Sequence, residues 1–445
     1  MTEAWRGRPS WIAAATVACV GVPQGGPAFG SGVEVTAGDV ASVVLMAAAA
    51  ILVVRSRTRV PRAALLAFGP LVATLGVTTV CSSDIAASLP GYLRDLQIFV
   101  LVPLAVVLVC RDRRDLGIVC GAVLGLGLAE AGYGIWQAAT GNGASIGGAN
   151  IRAVGTFGAV DVMAMSVVAA FAFVLATAYL LAGVRRSRGT VPAALAGLAV
   201  LGAALVLALS RGTWLALGAA IVLMLLLFDR RLAVRAVACG AALVLLFGVF
   251  TGGDSSAVTA RARSMVGSVT EPDRSVNDRY HLWSAAQGMW RDDPLTGVGV
   301  KNFAEYRDTY AGIELSSGSE THDPVNGYVR QSLLSPHNQY LLVLAEQGLV
   351  GLAGFALMLA AVVRGLWLRR RPRDPLWLAA AGAMAFLLTN FCYSDLGGPT
   401  TVLTAVLLGV AAARALGPRR PAPALVDRHG FRVHRPAAHA PGGAP

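Results

Sequence analysis

Apolar residues in this chain come mostly in unbroken runs, separated by short polar turns. Runs at about 11–22, 39–54, 63–80, 93–109, 116–139, 160–182, 191–209, 213–228, 232–250, 338–363, 376–393 and 400–415 approach the roughly 20 residues that a helix needs to cross a bilayer. The first is the shortest. The pattern predicts an all-α polytopic membrane protein with about twelve transmembrane helices. One polar stretch, 251–336, is too long for a passive connector and predicts one large extracytoplasmic loop. The expected organisation is a membrane bundle of about nine spans over 1–250, the loop over 251–336, and a bundle of about three spans over 337–416. Residues 417–445, rich in Pro, Ala, Arg and His, read as a disordered cytoplasmic tail.

The loop carries its own periodicity. Its first part, 251–272, is rich in Gly, Ser and Asp and reads as irregular. Ser275 or Asn277 can cap a helix in which Leu282, Trp283, Ala286, Met289 and Trp290 share a face. Such a helix is expected on the outer membrane surface, apolar side down. Asp293-Pro294, Gly297 and Gly299 predict a turn, and Asn302 starts a second helix carrying Phe303, Tyr306 and Tyr310. Residues 313–332 read as polar and irregular, a candidate element for reading an acceptor.

Composition agrees with this class. Of 445 residues, 55% are hydrophobic and 14% charged, well below the roughly 25% charged of a soluble domain. Met1–Ser10 is polar and basic, without a small-residue cleavage site, so no cleavable signal is expected. The net charge of +12 would suit nucleic acid, but its distribution argues against that partner. Arginines fill alternate loops: 55–62, 111–114, 185–188, 230–235 and 364–373. The intervening loops are almost free of positive charge. That asymmetry places the arginine loops in the cytoplasm and the long loop outside the cytoplasmic (inner) membrane. The six cysteines lie in or at the ends of apolar runs, without metal-ligand spacing, so no metal site and no disulfide framework are expected.

Against this background a few polar residues stand out. Ser335 reads as an N-cap and Pro336 as the first helical residue, which puts His337 in the first turn of a helix entering the membrane. A positive helix end disfavours imidazolium and leaves the ring able to accept a proton. His337 is thus a candidate general base; the competing reading is an interfacial cap or anchor. Arg211 lies in a very short outward turn, either gripping a phosphate-bearing ligand or snorkelling to lipid phosphates. Arg152 lies in another outward loop, Arg279 on the expected surface helix, and Arg94 at the outer end of a span. Arginine suits a diphosphate because its planar fork donates two parallel hydrogen bonds and stays charged. Glu130, deep in the fifth span, reads as a functional acid or a hydrogen-bonded structural one. Asp161 is placed to cap the sixth. Asp292-Asp293 before Pro294 reads as a helix stop.

Three stretches then occur in a telling order. Ser210-Arg211-Gly212 opens a span. Arg279-Tyr280-His281-Leu282-Trp283 leads through Asp293-Pro294-Leu295-Thr296-Gly297-Val298-Gly299 to Asn302-Phe303. His337-Asn338-Gln339-Tyr340 leads to Glu346-Gln347-Gly348-Leu349-Val350-Gly351. Together they cover roughly the second half of the chain, and in this order and membrane setting they resemble the O-antigen ligase and O-antigen polymerase superfamily of membrane glycosyltransferases. Arg152–Phe157 resembles an outward loop of that family; where the family often has Asn, this chain has Val160-Asp161.

The resemblance implies transfer of a glycan from an undecaprenyl-diphosphate carrier to an acceptor hydroxyl at the outer face of the cytoplasmic membrane. No metal and no cofactor are implied. The acceptor is a glycan, lipid, wall polymer or protein hydroxyl, so ligase, polymerase and protein glycosyltransferase all stay open. By the same resemblance His337 is the base, Arg211, Arg279 and Arg152 bind the diphosphate, and Arg94, Asn338 and Trp283 support them. The rival class is a transporter or flippase for a lipid-linked glycan. It would more naturally show charges near the midplane and inverted halves, whereas only Glu130 is deep here.

Overall fold

The computed structural model describes residues 7–23, 35–146, 150–158, 161–183, 190–250, 274–315, 319–323, 327–331 and 333–418. The expected irregular stretch 251–272 and nearly all of the tail lie outside these. The helices are α1 (Ser10–Val20), α2 (Ala37–Arg55), α3 (Arg62–Val80), α4 (Ile85–Leu96), α5 (Val102–Val109), α6 (Arg113–Thr140), α7 (Ala164–Gly183), α8 (Thr190–Leu207), α9 (Arg211–Phe228) and α10 (Arg230–Phe250). They continue with α11 (Arg274–Asp292), α12 (Phe303–Tyr310), α13 (Gln339–Leu368), α14 (Pro375–Asn390) and α15 (Thr400–Leu416). A π-helical turn, Gln97–Leu101, joins α4 to α5.

Among the described residues, seven helical segments are long and apolar enough to cross a membrane: α2, α3, α4 with α5, α6, α7, α9 and α13. The expected runs near 11–22, 191–209, 376–393 and 400–415 form α1, α8, α14 and α15, whose apolar helical stretches are 10–17 residues long. At 1.5 Å per residue such a helix spans about 15–25 Å, less than the ~30 Å of a hydrocarbon core. The run at 232–250 forms α10, which is not among the seven.

Local chemistry sets many of the helix ends. Thr36 and Asp39 close a capping box on α2, and Asp112 and Asp115 close one on α6. Gly141, at φ +79°, ends α6 in the left-handed conformation that glycine adopts without strain. The best-buried helices are α5, α7 and α15, and α14 is also largely buried. Helix α14 packs against α7 and α9, and α15 against α5 and α13. Phe171 of α7 meets Phe386 of α14 edge-on, with ring centroids 4.7 Å apart.

The polar half departs from expectation in three ways. First, α11 begins at Arg274, so Ser275 and Asn277 lie inside the helix rather than capping it. Second, its apolar face is not turned to lipid. Leu282, Ala286 and Met289 are buried against Val298, Phe303, Leu333 and Ala345, a second small core beside the main one. Protein contacts are available to that face because the following turn and α12 fold back onto it. Third, 313–332 is not wholly irregular. Strands β3 (Ser319–Asp323) and β4 (Gly327–Gln331) join β1 (Ala144–Ile146) and β2 (Asn150–Arg152) in one antiparallel sheet of order β2-β1-β3-β4. Ser145 is paired with His322 and Ile146 with Thr321. This long-range pairing ties the loop after α6 to the segment before α13. The expected helix stop at Asp292, the turn at 293–299 and the helix after Asn302 all form.

The motifs of that turn have a structural role. Helix α13 is broken at Gly348, whose φ of +59° and ψ of −161° no helix accommodates. The turn feeds its backbone into the break. Val298 N donates to Ala345 O at 3.0 Å and Gly299 N to Glu346 O at 2.9 Å. Leu349 N and Val350 N donate back to Pro294 O and Leu295 O at 2.9 and 3.0 Å. Irregular backbone in a span is tolerated where protein satisfies its polar groups in this way. Gly297 is required for the approach, since a Cβ there would stand 2.6 Å from Ala345 O.

Candidate active site

His337 does not lie in the first turn of a helix. Helix α13 starts two residues later, with Asn338 as its N-cap: Asn338 Oδ1 accepts from Tyr340 N at 3.0 Å and Leu341 N at 3.1 Å. Asn caps at least as well as Ser and stands nearer the first apolar turn, so it takes the place expected for Ser335. His337 instead sits at a left-handed φ of +49°. Only a small fraction of non-glycine residues adopt such a φ, and they are enriched where surrounding structure holds a side chain in place.

That surrounding structure is visible. Trp283 Nε1 on α11 donates to Pro336 O at 2.8 Å, just before the histidine. On the other side the chain is zipped to the segment between α14 and α15. Asn338 Nδ2 donates to Cys392 O at 3.2 Å, Gln339 N to Phe391 O at 2.9 Å, and Leu396 N to Gln339 Oε1 at 2.8 Å. This zipper brings Asp395 to His337. Nδ1 and Asp395 Oδ1 are 3.7 Å apart, within ion-pairing reach and longer than a hydrogen bond. Burial alone would push the Asp395 carboxyl up, but the His337 imidazole and the Ser335 hydroxyl outweigh it and hold the group below its usual range. The imidazole side chain keeps 39% of its surface exposed and the carboxylate 12%, so the pair is open on the histidine side.

Arg211 and Arg152 are tied to the corner beside the same segment. Arg211 is the first residue of α9, and the next residue, Gly212, lies so close to Tyr393 that a Cβ there would be 3.1 Å from the tyrosine Cβ. Arg152, at the end of β2, is buried, and its Nε donates to Ala208 O at 2.5 Å, three residues before Arg211. Ala153 N donates to Leu207 O, so the Arg152 loop is laced to the corner that leads into α9. Arg279 is half-buried on α11, one turn before Trp283. Arg94 is engaged elsewhere: it forms an ion pair with Asp39 at the start of α2 and meets Gln97 Oε1 at 3.3 Å.

Of the expected site residues, then, His337, Asn338, Trp283, Arg211 and Arg152 are linked through close contacts to one corner, and Arg279 shares α11 with Trp283. Glu130 takes a structural role. Its Oε2 accepts from Thr156 N at 2.9 Å, and its Oε1 lies 2.8 Å from Thr156 Oγ1. Gln137 Oε1 accepts from Gly155 N at 2.8 Å, and Nε2 donates to Gly155 O at 2.9 Å. Together they fold the loop that carries Arg152. Asp161 lies three residues ahead of α7, where Ala164 N bonds to its backbone carbonyl. Sequence reasoning missed Asp395. The available signal was a lone acid in a short loop, 394–399, otherwise free of charge.

The sequence model of the O-antigen ligase family matches residues 196–356, which supports a place for the chain in the O-antigen ligase and polymerase superfamily. The matched stretch contains Arg211, Arg279 and His337, while Arg152 and Asp395 lie outside it. No curated protein matches the chain. The match supports the general class of an O-antigen ligase-type membrane glycosyltransferase.

Proposed function

We propose that this protein transfers a glycan from an undecaprenyl-diphosphate carrier to an acceptor hydroxyl at the outer face of the cytoplasmic membrane, in the assembly of a cell-surface polysaccharide. The observation that carries the reading is the His337–Asp395 pair, held beside the corner that presents Arg211. With Nδ1 turned to Asp395, Nε2 is the nitrogen left to accept a proton. The acceptor hydroxyl gives its proton to Nε2 while its oxygen attacks the anomeric carbon. The bond from that carbon to the diphosphate oxygen breaks, and the electron pair leaves on the diphosphate. Direct attack inverts the anomeric centre. Asp395 stabilises the imidazolium that forms, as a carboxylate does for a catalytic histidine elsewhere.

Arg211, Arg279 and Arg152 supply positive charge where the leaving diphosphate develops its own, the largest kind of catalytic term in such chemistry. The glycan-bearing lipid enters laterally between helices, under α11. Purified protein in lipid, given a lipid-diphosphate glycan and an acceptor, is expected to release free lipid diphosphate as a new glycosidic bond forms. His337→Ala abolishes release while lipid binding persists. Normal turnover in that variant removes His337 as the base. Glycan crossing the bilayer without bond formation would point to a transporter instead.

A further inference from the structure

The opposite end of the bundle holds a second polar centre. Helix α14 runs 16 residues from Asp374 to the His337 zipper. At 1.5 Å per residue that separates the two ends by about 24 Å. At the far end, a cavity of about 540 Å³ opens between the start of α6, the end of α7 and the turn joining α13 to α14. It is lined by Arg113, Ala182, Arg371, Arg373, Asp374 and two prolines, Pro372 and Pro375.

Among the described residues, Asp374 is the one carboxylate of this lining, and its hydrogen bonds are already committed. Arg113 grips it with both terminal nitrogens, at 2.7 and 2.9 Å, Arg414 adds a third contact at 2.6 Å, and Leu376 N a fourth at 3.1 Å. Those guanidinium groups hold its carboxyl below the usual range against the push of burial. Nothing of that carboxylate is left to neutralise Arg371 and Arg373, which are exposed and form no ion pair among the described residues. Arg113 keeps 54% of its side chain exposed at the cavity wall. The cavity is thus a cationic basin with a small apolar wall, at the end of the bundle where the positive-charge asymmetry places the cytoplasmic leaflet.

We propose that this basin is a binding site for the phosphate headgroup of an anionic phospholipid, held by Arg371 and Arg373, with Arg113 adding positive charge at the wall. The chemistry recognised is a phosphodiester: arginine forks match its oxygens in pairs. Basic pockets between membrane helices on this side bind such headgroups in general. The lipid would bridge α6, α7 and α14 at the end remote from His337. The site is independent of the transferase reading.

The test uses the full-length protein in neutral detergent, titrated with phosphatidylglycerol or phosphatidylcholine and read by native mass spectrometry. A parallel arm adds inorganic phosphate and follows thermal unfolding. Phosphatidylglycerol is expected to bind in preference to phosphatidylcholine. Arg371→Ala with Arg373→Ala is expected to weaken it by about fivefold per arginine removed, the usual worth of one surface cation near an anionic lipid. Both residues are exposed, so folding and glycan transfer stay at wild-type levels. Arg370→Ala, whose guanidinium lies 5.0 Å over the Trp367 ring, serves as the control and leaves binding unchanged. Equal binding of the two lipids, or full phosphatidylglycerol binding in the double variant, overturns the proposal. Variant-sensitive stabilisation by inorganic phosphate with no gain from the lipid assigns the basin to a soluble phosphate and overturns the lipid assignment.

Discussion

Replacing Gly348 by alanine tests whether the broken helix is built as described. Residue 348 sits at φ +59° and ψ −161°, a region that is essentially glycine-only. Holding a side chain there costs about 1–3 kcal/mol. Space adds to this: the new Cβ would overlap the Leu295 carbonyl and stand 2.6 Å from Thr296 N. Neither can retreat cheaply, because Leu295 O and its neighbours hold four hydrogen bonds across the break. Displacing the turn enough to relieve the overlap sacrifices at least two of them, at about 1–3 kcal/mol for each buried group left unpaired. The sum is a loss of about 3–9 kcal/mol.

Thermal unfolding of the detergent-solubilised protein, followed by labelling of its free cysteines, is the assay. Gly76→Ala in α3, where a Cβ meets nothing within 4 Å, is the reference and is expected to be neutral or slightly stabilising. A Gly348→Ala protein within about 1 kcal/mol of wild type would refute the reasoning, since strain alone accounts for that much. Transfer activity should fall as well, because the break sets the direction of the helix turns that follow His337.

Asp395→Asn should keep the fold and lower turnover by about 10²–10⁴-fold, measured as lipid-diphosphate release, since an amide cannot stabilise imidazolium. Asp395 has its carboxyl held low, so the stability it contributes is present above about pH 4 and is lost as pH falls further; the acid limb of a melting-temperature profile should flatten in Asp395→Asn. Arg211→Lys should be severely impaired in turnover with unchanged melting, because a point charge does not replace a fork. Arg94→Ala should do the reverse: its ion pair with Asp39 is worth about 1–2 kcal/mol of stability, and turnover should stay within about threefold of wild type.

Much of this was readable in the chain. The apolar runs announced the helices, because hydrocarbon admits few other backbone solutions. Asp293-Pro294 announced the end of α11, and Asn302 the start of α12, because both signals act on their own neighbours. His337, Arg211 and Arg279 stood out because polar groups at the edge of a membrane need a reason to be there. Local reasoning failed where two local signals competed. Ser335-Pro336 and Asn338 are both plausible caps, and the zipper to residues 391–396 favours Asn338.

What the chain alone determined, then, is its class, its helices and the residues worth testing, since each depends on the chemistry of a short window. What the tertiary structure decided is which distant windows meet. Asp395 reaches His337 only because residues 338–339 pair with 391–396. The Arg152 loop reaches the Arg211 corner through the backbone carbonyls of Leu207 and Ala208 at the end of α8. The polar segment joins that loop through a sheet that no single strand encodes. Glu346-Gln347-Gly348 reads as an ordinary helical stretch until the turn at 294–299 is seen to occupy its break. Hydrogen bonds between segments far apart in sequence leave no periodic mark in either one, so only the folded chain shows them.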